Sequence, residues 1–268
     1  MTKFLYLSDT HFGKEPNGFQ QQQSYPERLP EILGALKHEV DRRGDIDFIL
    51  HGGDMIHTAS DADILAISKM FDWEVPVYLC LGNHDLTSPE ALERWMELAP
   101  QFFKDGLPVY SIETPDFILH VAPNHWGEKD FHWETCQDAR FSEAQMAALS
   151  LKLNSRPQLP HFLSTHSPVF GIPVVQSGLK EPIHVPVESF TRQILSLAEM
   201  HPNLCCVLGA HTHLNMRVEH QGVEFVTVSS IIEAPFEYKI FEVTEGNIRM
   251  STCRLGSGCG FDYRYNEE

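Results

Sequence analysis

Five short stretches rich in histidine and aspartate carry the side chains most suited to chemistry, and each follows an apolar, strand-like run. In chain order they are Ser8-Asp9-Thr10-His11, Gly52-Gly53-Asp54, Gly82-Asn83-His84-Asp85, Thr165-His166-Ser167 and Gly209-Ala210-His211-Thr212-His213. Carboxylate, amide and imidazole groups together favour Mn²⁺, Fe or Zn²⁺ over Ca²⁺ or a soft ion. The set therefore predicts a centre for two metal ions, which is the kind of site that hydrolyses phosphate esters.

Two of these stretches carry ligands at alternate positions. Asp9 and His11 follow one strand-like run, and His211 and His213 follow another. In an extended chain alternate side chains point to the same side, so we expect each pair to reach one site. No cysteine belongs to the set, which argues against a structural zinc cluster.

The elements that position these residues alternate in the first part of the chain. Three apolar runs read as strands, at 4–7, 46–50 and 75–81, and stripes at helical spacing separate them. This order predicts parallel strands joined by crossover helices, whose reactive loops follow the carboxyl ends of the strands. Asp9, Asp54 and Asn83 stand at those ends.

Beyond residue 108 the strand-like runs are more closely spaced, and residues 122–141 form an insertion rich in His and Trp. Ser142 and Gln145 fit a capping box that opens a helix. We expect one domain over residues 1–268, an α/β fold with four layers: an α/β/β/α sandwich of two mixed β-sheets flanked by helices.

The ordered set DxH, GD, GNHD, H and HxH resembles the calcineurin-like metallophosphoesterase superfamily. The GNHD form and the length are similar to its class III branch of cyclic-nucleotide and glycerophosphodiester phosphodiesterases. One departure is Ala210, where the family usually has glycine before the final HxH. The resemblance covers Asp9 to His213 and implies the same sandwich fold.

The resemblance also implies a role for each matching residue. Its metal ligands are Asp9, His11 and His213 for one ion, Asn83, His166 and His211 for the other, and Asp54 bridging both. His84 is the histidine that stabilises the transition state or protonates the leaving oxygen, and Asp85 is the partner that fixes its tautomer. A hydroxide held by the metals attacks phosphorus.

The resemblance leaves the substrate open. A phosphodiesterase acting on a small organic phosphodiester is expected first, and a phosphomonoesterase is the alternative, since the same metal centre serves both. A third interpretation is a non-catalytic metal-binding scaffold for protein interactions, although every ligand of the set is present.

Four further residues are candidates for a substrate wall. His125, Trp126 and His132 lie in the insertion, and His184 follows His166 at a distance. The other histidines are interpreted as structural; these are His38, His51, His57, His120, His161, His201 and His220.

Charge and composition restrict the partners. Twenty basic and 37 acidic residues give a formal charge of −17, and no basic stripe suggests binding to polymeric nucleic acid. No export signal or membrane-spanning run is visible, so a cytoplasmic location is expected. A homo-oligomer is left open.

Overall fold

Two β-sheets packed face to face organise the protein, and helices cover their outer sides. The computed structural model describes residues 1–16, 22–244 and 246–265. Within them lie six α-helices: α1 Leu29–Arg43, α2 Asp61–Met70, α3 Ala91–Leu98, α4 Glu143–Asn154, α5 Val174–Ser177 and α6 Glu188–Met200. The predicted four-layer sandwich is confirmed.

The first sheet has five strands in the order β13-β12-β1-β2-β3. Its strands are β1 Thr2–Leu7, β2 Phe48–His51, β3 Val77–Leu79, β12 Glu237–Thr244 and β13 Asn247–Arg254. Strands β1, β2 and β3 are parallel, as their alternation with helices predicts. The chain returns to this sheet at its end, because β12 pairs antiparallel with β1.

The second sheet has six strands in the order β10-β11-β9-β8-β5-β4. Its strands are β4 Tyr110–Glu113, β5 Ile118–Val121, β8 His161–Ser164, β9 Leu204–Gly209, β10 Met216–His220 and β11 Val223–Thr227. Strands β5, β8, β9 and β11 are parallel. A separate two-stranded ribbon, β6 His125–Trp126 with β7 Ala139–Arg140, lies in the insertion.

The helices follow from local sequence signals. Helix α1 buries Leu29, Ile32, Leu36 and Val40, which recur at helical spacing on one face, and it ends at Gly44, whose left-handed φ of 65° lets its N–H reach the Val40 carbonyl. Helix α4 begins with the capping box predicted from Ser142 and Gln145.

Aromatic side chains fill the space between the two sheets. Phe4 stacks between Phe48 and Phe241 in the first sheet, with ring centroids 5.0 and 4.8 Å away. Phe117 and Phe162 meet it from the second sheet. Each buried aromatic side chain contributes about 1.5–3 kcal/mol by leaving water, so this core fixes the relative position of the sheets.

A buried hydrogen bond ties the sheets together near one edge. The Tyr6 hydroxyl in β1 donates to the carbonyl of Gly209, the last residue of β9, at 2.6 Å. Tyr6 is fully buried, and the Val228 N–H donates to the same carbonyl at a longer distance of 3.3 Å.

Among the residues that the structure describes, no helix combines the length and the apolar character needed to cross a bilayer.

Tyr6→Phe is expected to lower the free energy of unfolding by about 1–2 kcal/mol, because it leaves a buried carbonyl short of a donor. Denaturant unfolding of the native chain and the variant measures the difference. Tyr265→Phe is the control, since Tyr265 is exposed, and it should change stability by less than about 0.5 kcal/mol. Equal stability of Tyr6→Phe and native protein would show that this bond does not join the sheets.

Candidate metal centre

The five chemistry-bearing stretches meet where the carboxyl ends of the parallel strands of both sheets lie together. Asp9, Asp54 and Asn83 follow β1, β2 and β3 of the first sheet, while His166 and His211 follow β8 and β9 of the second. All five are buried or nearly so. The predicted convergence of separate loops on one edge is therefore present across both sheets.

The backbone at these positions is not extended. Asp9, His11, Asp54, His211 and His213 all have positive φ, between 42° and 66°. The expectation that the alternate pairs reach one site through extended geometry is wrong, because both members of each pair have a left-handed φ. Non-glycine residues adopt this region at a cost of about 1–3 kcal/mol each, and such strain concentrates at functional sites.

Backbone hydrogen bonds between neighbouring loops hold this strained conformation. The N–H groups of Asp9 and His11 donate to the carbonyls of Gly53 and Asp54, each at 3.0 Å. Ser230 donates its hydroxyl to the Asp9 carbonyl at 2.7 Å. The pairing of β1 with β2 thus continues beyond the strands and carries the ligand loops with it.

Asp9, His11 and His213, here called the Asp9 group, form one cluster of facing ligand atoms. The Nε2 atoms of the two histidines lie 3.0 Å apart, and Asp9 Oδ1 lies 3.4 Å from His213 Nε2. Both carboxylate oxygens of Asp9 are buried and have no hydrogen-bond partner among the described residues.

Asn83, His166 and His211, here called the His166 group, lie beside it. Asn83 Oδ1 is 3.1 Å from His211 Nδ1. The Nε2 atom of His166 is buried and, within the described parts of the chain, has no hydrogen-bond partner.

Asp54 lies between the two groups. Its Oδ2 is 3.7 Å from His11 Nε2 and 3.3 Å from His166 Nε2, and its Oδ1 accepts a hydrogen bond from the His84 N–H at 2.8 Å. One carboxylate oxygen therefore faces ligand atoms of both groups.

These donor atoms fit two metal ions. Buried polar atoms normally have partners, yet the Asp9 oxygens and His166 Nε2 face other ligand atoms instead. Imidazole and carboxylate donors match Mn²⁺, Fe or Zn²⁺.

The charges of the metal-free site compete with burial. Burial disfavours ionised Asp54, but the charge of neighbouring His166 and its hydrogen bond hold the pKa of the Asp54 carboxyl well below the usual range. Burial raises the pKa of Asp9. Burial opposes protonation of His166 as well, but Asp54 and Asp9 raise the pKa of that imidazole to about 9. Without a metal ion, His166 therefore favours its protonated form.

Two of the histidines have a clear acceptor on the ring nitrogen that points away from the centre. His213 Nδ1 lies 2.6 Å from Glu233 Oε1, and His166 Nδ1 lies 2.8 Å from the Gly52 carbonyl. Such acceptors orient ligand rings and fix their tautomers. Sequence reasoning missed Glu233, although a carboxylate directly after the apolar pair Ile231-Ile232 was the available signal.

The structure corrects the predicted partner of His84. The His84 Nδ1 lies 2.8 Å from the backbone carbonyl of His57, whereas Asp85 is directed to backbone N–H groups of Met55, Ile56 and Gly82 at 2.8–3.1 Å. Burial and the charge of Asp54 raise the pKa of Asp85 to about 7. Asp85 therefore holds the loops together and does not contact the His84 ring.

An open pocket of about 490 Å³ lies over the two groups. It is lined by His11, Gly13, Lys14, Glu15, Asp54, His57, Asn83, His84, Gln137, His211 and His213. None of the four predicted substrate residues belongs to this lining, and their contact with a substrate stays a prediction.

The four residues lie outside the pocket lining, in different surroundings. His125 is buried and accepts from the Phe131 N–H, and Trp126 is buried against the His211 ring, with ring centroids 4.9 Å apart. His132 lies in the insertion outside the lining, and His184 is exposed.

The insertion reaches the pocket through other side chains. Gln137 belongs to the lining, and Trp133 packs on the His84 ring at 4.8 Å. Lys14 and His57 also line the pocket. Lys14 follows the DxH stretch closely and His57 follows the GGD stretch, which was an available signal for both residues. His57 was instead interpreted as structural, and Lys14 was not among the candidates.

Comparison with known proteins agrees with this arrangement. The family model described as calcineurin-like phosphoesterase matches residues 2–215. Among solved structures, the chain is similar to a dimetal phosphatase from Danio rerio, with 17% identity and a TM-score of 0.71 over 94% of this chain and 95% of that one. It is also similar to GAP50, the anchor in the inner membrane complex of Plasmodium, with 12% identity and a TM-score of 0.65 over 96% and 85%. At these identities the likenesses show the fold.

Gly53→Ala is expected to abolish binding at the His166 group. Gly53 has φ +117°, and a Cβ there would lie 2.3 Å from His166 Nδ1, so that ring must move. Mn²⁺ titration by calorimetry measures the stoichiometry. The control is Gly44→Ala, also at positive φ but with its nearest atom 3.8 Å away; it should keep native binding and lose about 1 kcal/mol of stability. Native Mn²⁺ stoichiometry in Gly53→Ala would contradict the placement of His166.

Metal affinity is expected to rise with pH. Below a pKa of about 9 the His166 imidazole binds a proton in the metal-free protein, and a metal ion must displace it. Between pH 6 and 8 the apparent Mn²⁺ affinity should therefore increase by up to about tenfold per pH unit. Competition titrations at pH 6, 7 and 8 measure this. An affinity that does not change with pH would show that no proton is displaced.

Proposed function

Because this chain belongs to the calcineurin-like phosphoesterase family, we propose that it is a metal-dependent phosphodiesterase that hydrolyses a small organic phosphodiester, such as a cyclic nucleotide or a glycerophosphodiester. The family is dependent on two metal ions, and the clustered Asp and His residues are candidate ligands for them. The observation that carries the proposal is the position of Asp54 Oδ2, which faces ligand atoms of both groups.

In this proposal the Asp9 group holds one ion, the His166 group holds the other, and Asp54 belongs to both sites. When bound, the two ions supply Lewis acidity for the phosphoryl oxygens and lower the pKa of water towards ~7. Mn²⁺, Fe and Zn²⁺ all match the donors. The protein would fix the positions of the two ions, because hydrogen bonds hold the loops that carry the candidate ligands.

His84 is proposed to give a proton to the leaving oxygen. A carbonyl accepts but cannot donate, so the contact with His57 O requires the proton on His84 Nδ1. Nε2 is then the atom that exchanges a proton with the pocket that the ring lines. An alkoxide is a poor leaving group, and general acid assistance is typically worth ~10²–10⁴ in rate.

The pocket supports a small substrate. About 490 Å³ is in the range of a small-molecule site, and its lining is largely polar and charged. The formal charge of −17 disfavours polymeric nucleic acid as a partner. A cytoplasmic location is part of the proposal, because the six cysteines are free and free thiols are typical of reducing compartments.

A phosphomonoester is a second candidate, and Lys14 favours it. This lysine lines the pocket beside the Asp9 group, and although burial lowers its pKa, nearby Glu233, Asp54 and Asp9 favour its charged form. A monoester carries one more negative charge near neutral pH than a diester, so an ammonium group in the pocket would stabilise it more.

Hydrolysis of bis(p-nitrophenyl) phosphate and p-nitrophenyl phosphate with Mn²⁺ tests the proposal. The native chain should prefer the diester. On glycerophosphocholine, whose alkoxide leaving group needs a proton, His84→Ala should lose about 10²–10⁴ of its turnover while binding as much Mn²⁺ as the native chain. His184→Ala is the matched control, because His184 is exposed and outside the pocket lining; its turnover should be native.

The other outcomes select the alternatives. Preference for p-nitrophenyl phosphate would favour the phosphomonoesterase. Two equivalents of bound Mn²⁺ without turnover of either ester would contradict the enzyme on these substrates and favour the non-catalytic scaffold.

A further inference from the structure

His57 is held rigidly beside the metal centre by the backbone. Its N–H donates to the Phe12 carbonyl at 2.9 Å, and the Phe12 N–H donates to the Met55 carbonyl at 3.1 Å. These bonds extend the β1–β2 pairing beyond the ends of both strands, where Phe12 lies opposite Ile56. The ring of His57 therefore projects from a fixed point into the pocket lining.

The His57 ring contacts two other histidines. Its Nδ1 lies 3.3 Å from His11 Nδ1, and its ring stacks on that of His84, with centroids 4.5 Å apart and planes 19° from parallel. His11 and His84 also meet edge to face at 4.8 Å. One side chain thus touches a member of the Asp9 group and the proposed proton donor.

Proton placement decides what the first contact does. His11 Nε2 faces His213, Asp9 and Asp54, so a metal ion held there leaves the ring proton on Nδ1. That N–H points at His57 Nδ1, which must then accept, and His57 carries its own proton on Nε2.

His57 gives His11 the kind of acceptor at Nδ1 that two other candidate ligand histidines have. His213 has Glu233 as the acceptor at its Nδ1, and His166 has the Gly52 carbonyl. At His11 the neighbour of Nδ1 is the imidazole of His57. A metal-binding histidine whose other nitrogen lacks such an acceptor is less well oriented, at a typical cost of 10–100-fold in metal affinity or activity.

We propose that His57 is a positioning residue with two separable tasks: its Nδ1 accepts the His11 proton and orients that ligand, and its flat ring supports the His84 ring. The proposal rests on the proposed metal-dependent function, and it links the Asp9 group to His84 through one side chain. The two tasks need different chemistry, an acceptor atom for the first and a planar ring for the second.

Two substitutions separate these tasks. His57→Phe keeps a flat ring but has no acceptor, so the affinity for Mn²⁺ at the Asp9 group should fall about 10–100-fold, with a smaller loss of kcat at saturating Mn²⁺ than in His57→Asn. His57→Asn keeps an acceptor near the Nδ1 position but has no ring, so Mn²⁺ affinity should stay within about threefold while kcat falls about tenfold with KM unchanged.

Calorimetric titration with Mn²⁺ alone measures the first effect without any substrate. Steady-state hydrolysis of glycerophosphocholine, or of glycerol phosphate if a monoester is preferred, measures the second, because the leaving alkoxide of either substrate needs a proton. His38→Phe is the matched control, since His38 is exposed on α1; it should match the native chain in both measurements. Thermal melts of the metal-free proteins compare their folding.

The results distinguish failure of this proposal from failure of the proposed function. If the native chain binds no pair of Mn²⁺ ions, the proposed function itself is wrong. If the native chain binds two ions and turns over, but both His57 variants keep native Mn²⁺ affinity and kcat, the positioning role is wrong. Equal loss of affinity in His57→Phe and His57→Asn would also overturn it, because the acceptor would then have no separate effect.

Discussion

Two carboxylates buried among imidazoles, at the edge where two sheets meet, are the constraint on which this site depends. Asp9 and Asp54 are 0% and 1% exposed, and a buried negative charge without a counter-charge costs several kcal/mol. In the metal-free protein the raised pKa values of His166 and His213 supply part of that counter-charge. Two cations would supply it more completely and would also give partners to the Asp9 oxygens and to His166 Nε2.

Hydrogen bonds between the loops and the packed core beneath them stabilise this unfavourable cluster. The left-handed turns that aim the ligands are strained, but each is tied to a neighbouring loop by backbone bonds or, at Asp85, by a buried carboxylate that accepts three N–H groups. Beneath them the aromatic core and the Tyr6–Gly209 bond fix one sheet against the other. The candidate ligands that follow strands of both sheets lie together because these contacts fix the sheets.

Much of this was predictable from sequence, because strand ends and ligand types are local signals. The alternation of strands and helices predicted the parallel β1–β2–β3 unit, and the capping residues predicted the start of α4.

The predictions that failed concern contacts between residues far apart in the chain. Nothing in the sequence shows that Asp85 bonds to backbone N–H groups while the His84 ring contacts the His57 carbonyl, or that Glu233 reaches His213 across 20 positions. The insertion carries conspicuous histidines and tryptophans, yet Gln137 is its residue in the pocket lining.

The most direct test of the account is where metal ions bind. Anomalous diffraction from crystals soaked in Mn²⁺ locates each ion without reference to activity. The account predicts two peaks roughly 3.5–4 Å apart, one against the Asp9 group and one against the His166 group, with Asp54 between them, and neither peak in Asp54→Ala. A single peak in the native protein, or two peaks retained in Asp54→Ala, would contradict it.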